Sequence, residues 1–214
     1  VSAIRKSTIS EGFQLELPQA RFLECDGLVL AAPAHCTARL LAPIRPVAAE
    51  ALRRIDYAST VIVVTGHRLA DVAHPLDAFG LVIPAIERRR ILAVSFTSRK
   101  FPHRAPEGSV QLRTFVGGAM QPELVALSDE EITKLVREEL GELLGVTWRP
   151  ELVVVARWMN SMPQYHVGHL DIVARIETDL ASWPRLALGG NALYGVGLPD
   201  TIATGEAAAE RVFQ

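Results

Sequence analysis

Apolar residues change their rhythm several times along this chain, and each change marks an element. After a Glu11-Gly12 turn signal, Phe13, Leu15 and Leu17 alternate with polar residues, the two-residue period of a half-buried strand. Val1 and Ile4 open an earlier strand, so antiparallel strands and a return are expected through residue 30. Residues 26–32 form a continuous apolar run, as in a strand covered on both faces, and Pro33 ends it. Helices are expected over 36–41 and, after Pro46, over 47–54. Residues 57–65 contain the β-prone run Val61-Ile62-Val63-Val64, and 81–84, 91–98 and 109–116 read as further strands.

The period then switches to the helical one. Ser128 precedes Asp129-Glu130-Glu131, which gives an N-cap, a capping box through Glu131 and acids in the first turn. Ile132, Leu135, Val136, Leu140 and Leu143 supply its apolar face, and Gly145 stops it. Residues 152–158 read as a strand and 170–177 as a helix that Trp183-Pro184 ends. The last stretch runs from a short strand, Leu186-Ala187-Leu188, through Gly189-Gly190-Asn191 and Tyr194-Gly195-Val196-Gly197-Leu198-Pro199-Asp200 into an alanine-rich helix ending at Phe213. Ile202, Gly205, Ala209 and Val212 fall on one face of that helix. Small residues among them allow close approach to a sheet or a ligand. Strand, glycine turn and helix start together aim unpaired N–H groups and a positive dipole end at something electron-rich. Pro199 suits a first turn, and Asp200 would repel a phosphate dianion. A delocalised oxygen or ring nitrogen that gains charge only during reaction fits better.

Composition narrows the class. Of 214 residues, 49% are hydrophobic and 21% charged, as in a globular chain, and the net charge of −2 gives no electrostatic case for nucleic acid. No apolar run approaches the ~20 residues of a membrane-spanning helix. Two cysteines, Cys25 and Cys36, are too few for a disulfide scaffold and read as reduced thiols of a cytosolic protein. No G-x-S-x-G elbow, H-E-x-x-H helix or G-x-x-x-x-G-K-[ST] loop occurs. His166 and His169 lack accompanying metal ligands, so a polar turn and helix start is the expectation there, with no metal. His35 and Cys36 follow a strand end without an identifiable base. Arg88-Arg89-Arg90, between two strands, is expected to be a solvated turn.

The closing segment, from Gly189-Gly190-Asn191 through Tyr194, Gly195-Val196-Gly197 and Pro199-Asp200 to Gly205-Glu206-Ala207-Ala208, resembles the C-terminal flavin segment of the protoporphyrinogen oxidase family, within the wider flavin amine-oxidase-like group. Two further blocks agree in order: Asp26 to Ala34, and Arg157-Trp158, Met162-Pro163-Gln164-Tyr165 and Gly168-His169. The resemblance covers essentially the whole chain. It implies an α/β (α+β) chain with FAD as cofactor. Residues 1–45 and 165–214 would be incomplete segments of a FAD-binding domain. Residues 46–164 would be a substrate-binding domain, a mixed, largely antiparallel sheet with a covering helix.

The same resemblance puts Trp158 beside the isoalloxazine ring. The backbone of Val196, Gly197 and Leu198 would lie at its pyrimidine edge, and Val1, Gly190 and Asn191 would be further cofactor contacts. No catalytic residue is assigned. The implied reaction is oxidation of a porphyrinogen to a porphyrin by dioxygen, with peroxide released. Arg99 and Arg113 are candidates for holding substrate carboxylates.

One part of the family pattern is absent. No G-x-G-x-x-G with a following acidic residue occurs, so the chain is expected to be a C-terminal half that is inactive and holds FAD weakly by itself. The beginning at Val1 suggests a fragment, and the helical region by which relatives touch a membrane is missing. Localisation is thus expected to be cytoplasmic, or peripheral to a membrane through that region. Two alternatives stay open: a non-catalytic half-protein that binds a partner or a porphyrin, and a flavin amine oxidase or desaturase relative with another substrate.

Overall fold

A computed structural model describes residues 1–9 and 11–213. The chain divides into two compact units, Val1–Tyr57 with Met162–Gln214, and Ala58–Ser161.

The first unit opens with a three-stranded antiparallel sheet in the order β1 (Ala3–Lys6), β2 (Phe13–Leu17), β3 (Arg21–Cys25). Ile4 and Phe13 bury their side chains, whereas β3 has no buried residue, which is why no alternation marks it in the sequence. The apolar run that follows contributes only β4 (Leu28–Leu30), which pairs in parallel with β10 (Leu186–Leu188) near the other end of the chain. Helices α1 (Ala34–Leu41), α2 (Pro46–Arg53) and α5 (His169–Leu180) complete this core. On α5 the buried positions are His169, Val173, Ile176 and Leu180, spaced by three or four residues. Helix α2 puts Ala48, Ala49 and Leu52 into the same cluster as Ile176 and Leu180. That packing carries the boundary of the first unit to residue 57, where the sequence suggested 45.

Asp179 pins these helices together. Its carboxylate accepts from Arg45 Nη2 at 2.6 Å and Nε at 3.1 Å, and from the Ala48 N–H in the first turn of α2 at 3.1 Å. The Arg45 guanidinium also lies over the Trp183 ring, 5.4 Å from its centroid.

The second unit is a five-stranded sheet in the order β6 (Gly80–Val82), β7 (Ala93–Phe96), β8 (Ser109–Gly117), β5 (Tyr57–Arg68), β9 (Leu152–Pro163). Strands β5 and β8 pair antiparallel from Thr60↔Gly117 to Arg68↔Ser109. Alternate residues of both strands, Val61 and Val63 on one and Val110, Leu112 and Val116 on the other, share a core with Ile132, Leu135, Val136, Leu140 and Leu144 of helix α4 (Asp129–Leu144). The sequence put Leu143 on that face. The helix turns Leu144 inward and leaves Leu143 half-buried. Ser128 accepts from the Glu131 N–H while Glu131 accepts from the Ser128 N–H, closing the expected capping box, and Gly145 ends the helix at φ 61°.

The arginine run is a largely exposed turn, but it is also ion-paired. Arg89 pairs with Glu139 at 3.4 Å and with Glu142, and Arg90 pairs with Glu138. The buried Glu139 carboxylate also accepts from the Arg90 N–H at 3.1 Å, so this turn is fastened to α4. Strand β9 is the last of its sheet. It leaves Leu152, Val153, Val154, Trp158, Met159 and Met162 exposed.

Candidate functional site

The turn between β10 and helix α6 (Leu198–Phe213) is set first by close backbone approach. The Gly189 N–H donates to Leu30 O at 3.1 Å, and a Cβ on Gly189 would stand 3.4 Å from Gly205 Cα. Gly189 thus faces Gly205 where α6 meets the strand end, although a Cβ on Gly205 itself would meet nothing. Gly190 adopts φ 109°, a left-handed conformation that favours glycine, and its N–H donates to Thr204 Oγ1 at 3.0 Å. The expected buried face of α6 needs one correction. Ile202 points to solvent, and Ala208 is the buried side chain of the helix, because Thr204 and Arg211 bring that side of α6 inward. Arg211 Nη2 donates to Leu180 O at 2.6 Å.

The middle of the turn is held by two rings from the 162–169 block. Tyr165 stacks on His169 with centroids 3.9 Å apart and planes at 13°. The Tyr165 hydroxyl donates to Asn191 O at 2.7 Å and accepts from the Gly195 N–H at 2.9 Å. His169, only 6% exposed, places Nε2 2.8 Å from Leu193 O, so Nε2 carries the proton and donates. Burial raises the Tyr165 hydroxyl above its ordinary value, and the Gly195 N–H partly offsets this, so the hydroxyl stays neutral and keeps its proton for Asn191.

Beyond this brace the N–H groups of Val196, Gly197 and Leu198 have no hydrogen-bond acceptor among the described residues. Val196 is 50% and Leu198 80% exposed. The helix ladder begins only at the Thr201 N–H, which reaches Gly197 O at 2.9 Å. Asp200 folds back over the turn. A Cβ on Gly195 would lie 2.4 Å from its Oδ2, and one on Gly197 would lie 3.0 Å from the same atom. The Asp200 carboxylate is therefore packed on both glycines, and at 195 a side chain would collide with the Asp200 side chain down to its Cβ. The result is an open row of donors beside an existing negative charge. It suits a polarisable oxygen or ring nitrogen better than a phosphate dianion.

The other residues named from the sequence lie as follows. Asn191, half-buried, uses its carbonyl on Tyr165 and leaves its side-chain amide without a partner among the described residues. Gly190 has its N–H committed to Thr204. Val1 is exposed ahead of β1 in the first unit. Trp158 is 54% exposed on β9 in the second unit. Arg99 and Arg113 are exposed in that unit, and the Arg113 guanidinium lies 5.0 Å from the Phe115 ring centroid. Arg157 pairs with Asp129 at the start of α4. His166 Nε2 lies 3.3 Å from Asp56 Oδ2. Among the described residues no group of three His, Cys, Asp or Glu side chains could hold a metal, and no helix is long and apolar enough to cross a membrane. Both cysteines are free, and burial raises the Cys25 thiol above its ordinary value.

Between α5, β10 and α6 a cleft of about 340 Å³ is lined by Ile176, Leu188, Ala208, Glu177, Tyr194 and Arg211. There the Tyr194 hydroxyl donates to the Glu177 carboxylate, which pushes the phenol up to about 12.

The family model for flavin-containing amine oxidoreductases matches residues 1–213. The chain belongs to that family. Within it, a coproporphyrinogen III oxidase of Bacillus subtilis (strain 168) is 34% identical over 197 residues, covering 92% of this chain and 42% of the relative. A coproporphyrinogen III oxidase of Propionibacterium freudenreichii subsp. freudenreichii is 37% identical over 204 residues, covering 92% and 37%. Among solved structures, a candidate protoporphyrinogen oxidase from Exiguobacterium sp. 255-15 superposes with a TM-score of 0.84 at 28% identity, covering 99% of this chain and 46% of that one. The chain spans about two-fifths of the length of the curated relatives it matches. This member of the amine oxidoreductase family thus has porphyrinogen oxidases among its relatives and the corresponding fold across its length.

Proposed function

We propose that this chain is the C-terminal part of an oxygen-dependent, FAD-linked porphyrinogen oxidase acting in porphyrin and heme synthesis. The observation that carries the reading is the row of unpaired N–H groups at Val196, Gly197 and Leu198, open to solvent at the start of α6. FAD, when bound, would accept a hydride, and with it two electrons, from the macrocycle as one proton leaves the ring, and dioxygen would take those two electrons with two protons to give hydrogen peroxide. The part of this chain is to hold the ring. Donors fixed before reaction stabilise negative charge at the pyrimidine edge without rearranging. Gly197 leaves that edge uncovered, and Asn191 offers a free side-chain amide. Val1, Gly190 and Trp158 are proposed as further cofactor contacts, and Arg99 and Arg113 as candidates for substrate carboxylates.

The two curated relatives make coproporphyrinogen III the first substrate to test, with protoporphyrinogen second. Lacking a G-x-G-x-x-G turn for the pyrophosphate, the 214 residues alone are proposed to hold FAD weakly and not to turn over. The test joins this chain to the segment of the Bacillus subtilis relative that has no counterpart here. The chimera is expected to bind FAD and to convert coproporphyrinogen to fluorescent coproporphyrin, a six-electron oxidation, with one peroxide released for each dioxygen consumed. Micromolar FAD binding by the 214 residues alone would contradict the incomplete-site account. A chimera that binds FAD yet oxidises neither porphyrinogen would remove the substrate assignment.

A further inference from the structure

The 162–169 block marks kinship in the sequence, and two of its side chains hold the turn, which gives them a consequence for the donors beyond it. We propose that Tyr165 and His169 are positioning residues: the hydroxyl of one, held flat on the ring of the other, fixes the 191–195 segment so that the donors at 196–198 stay aligned for an electron-rich ring. The inference rests on the flavin reading above and deepens it.

Three observations support this. The Tyr165 oxygen is used on both sides, donating to Asn191 O at 2.7 Å and accepting from the Gly195 N–H at 2.9 Å, so it closes a ring across the turn. His169 anchors the segment between those contacts through Leu193 O at 2.8 Å, and its own ring is buried in the α5 packing. The parallel stack at 3.9 Å leaves Tyr165 little freedom to swing its hydroxyl away. Gly195 is the residue immediately before the open donors, and its N–H is the one in that row that is satisfied. Without the hydroxyl that N–H would lose its partner, and a glycine there has many other conformations to adopt. The brace acts on where the donors point.

The test uses the ¹⁵N-labelled 214-residue chain with FAD at up to millimolar concentration, comparing wild type, Tyr165→Phe, His169→Phe and His169→Gln. Tyr165→Phe keeps the stack and removes only the hydroxyl. Its expected signature is at least tenfold faster hydrogen exchange at Gly195, shifted resonances at 196–198 and about tenfold weaker FAD binding. Exchange in α4 and the thermal midpoint should stay unchanged. His169→Gln, which retains a donor for Leu193 O, should keep more of the affinity than His169→Phe. If Tyr165→Phe exchanges and binds like wild type, the brace is idle and the proposal fails, with the flavin reading untouched. If resonances at 196–198 ignore FAD even in the chimera described above once it has bound FAD, the flavin reading fails first and takes this proposal with it. A loss of affinity seen only with a general fall in thermal midpoint would mark Tyr165 as ordinary packing and overturn the assignment.

Discussion

Asp179 accepts from both nitrogens of the Arg45 fork and from the first turn of α2, with little of either side chain in water. Removing the carboxylate leaves a guanidinium and an N–H without their partner in a partly buried place, a change that costs about 3 kcal/mol in comparable pairs. Asp179→Ala should therefore lower the urea midpoint of the first unit, read through Trp183, which shares that packing. His67 makes a different prediction. It is 0% exposed on β5, both ring nitrogens lack partners among the described residues, and burial depresses its proton affinity below the ordinary 6.5. The unfolded chain then binds the proton more readily than the folded one. The stability of the second unit should fall as pH drops below about 6.5 and level off once the folded-state value is passed. His67→Leu should remove that acid slope relative to wild type, and at pH 8 it should be neutral or stabilising. Neither residue could be read as structural from the sequence. A lone histidine beyond a β-prone run, and an aspartate paired across 134 positions, carry no local signal of burial.

Helix α4 shows the opposite case, because cap, acidic first turn, apolar spacing and glycine stop are all local and all agree. Leu140→Ala should cost about 2–5 kcal/mol in the second unit, whereas Ser128→Ala should cost about 1 kcal/mol; both are measurable by urea unfolding. Removing the exposed Arg90–Glu138 pair should change that midpoint little. Where an element depends on something remote, the sequence says less. Strand β3 has no buried face to impose a period, and β4 is limited to three residues by its partner β10, far along the chain. The candidate site was half legible for the same reason. Its glycines and helix start are contiguous and could be read directly, but their fixation by Tyr165 and His169 spans 24 to 30 positions and shows only in three dimensions. Even the glycines had a second cause that spacing cannot reveal, the folding of Asp200 onto Gly195 and Gly197.

For the molecule as a whole, each unit encloses its own apolar cluster, one around Phe13, Leu52 and Ile176, the other around Val63, Leu112 and Leu140. Denaturation should therefore not be a single two-state step. With single-tryptophan variants, Asp179→Ala should move the Trp183 transition and leave that of Trp148 in place, while Leu140→Ala should do the reverse. Coincident shifts of both probes in both variants would show one cooperative body instead. The uncovered side of β9 has a further, practical consequence. Last in its sheet among the described residues and carrying the exposed Val153 and Val154, it offers a mould on which other extended polypeptides can assemble, so concentrated preparations should lay down fibrillar deposits by lateral strand addition. Val154→Lys, which sets a charge into that mould, should lengthen the lag before thioflavin fluorescence rises without changing the fold.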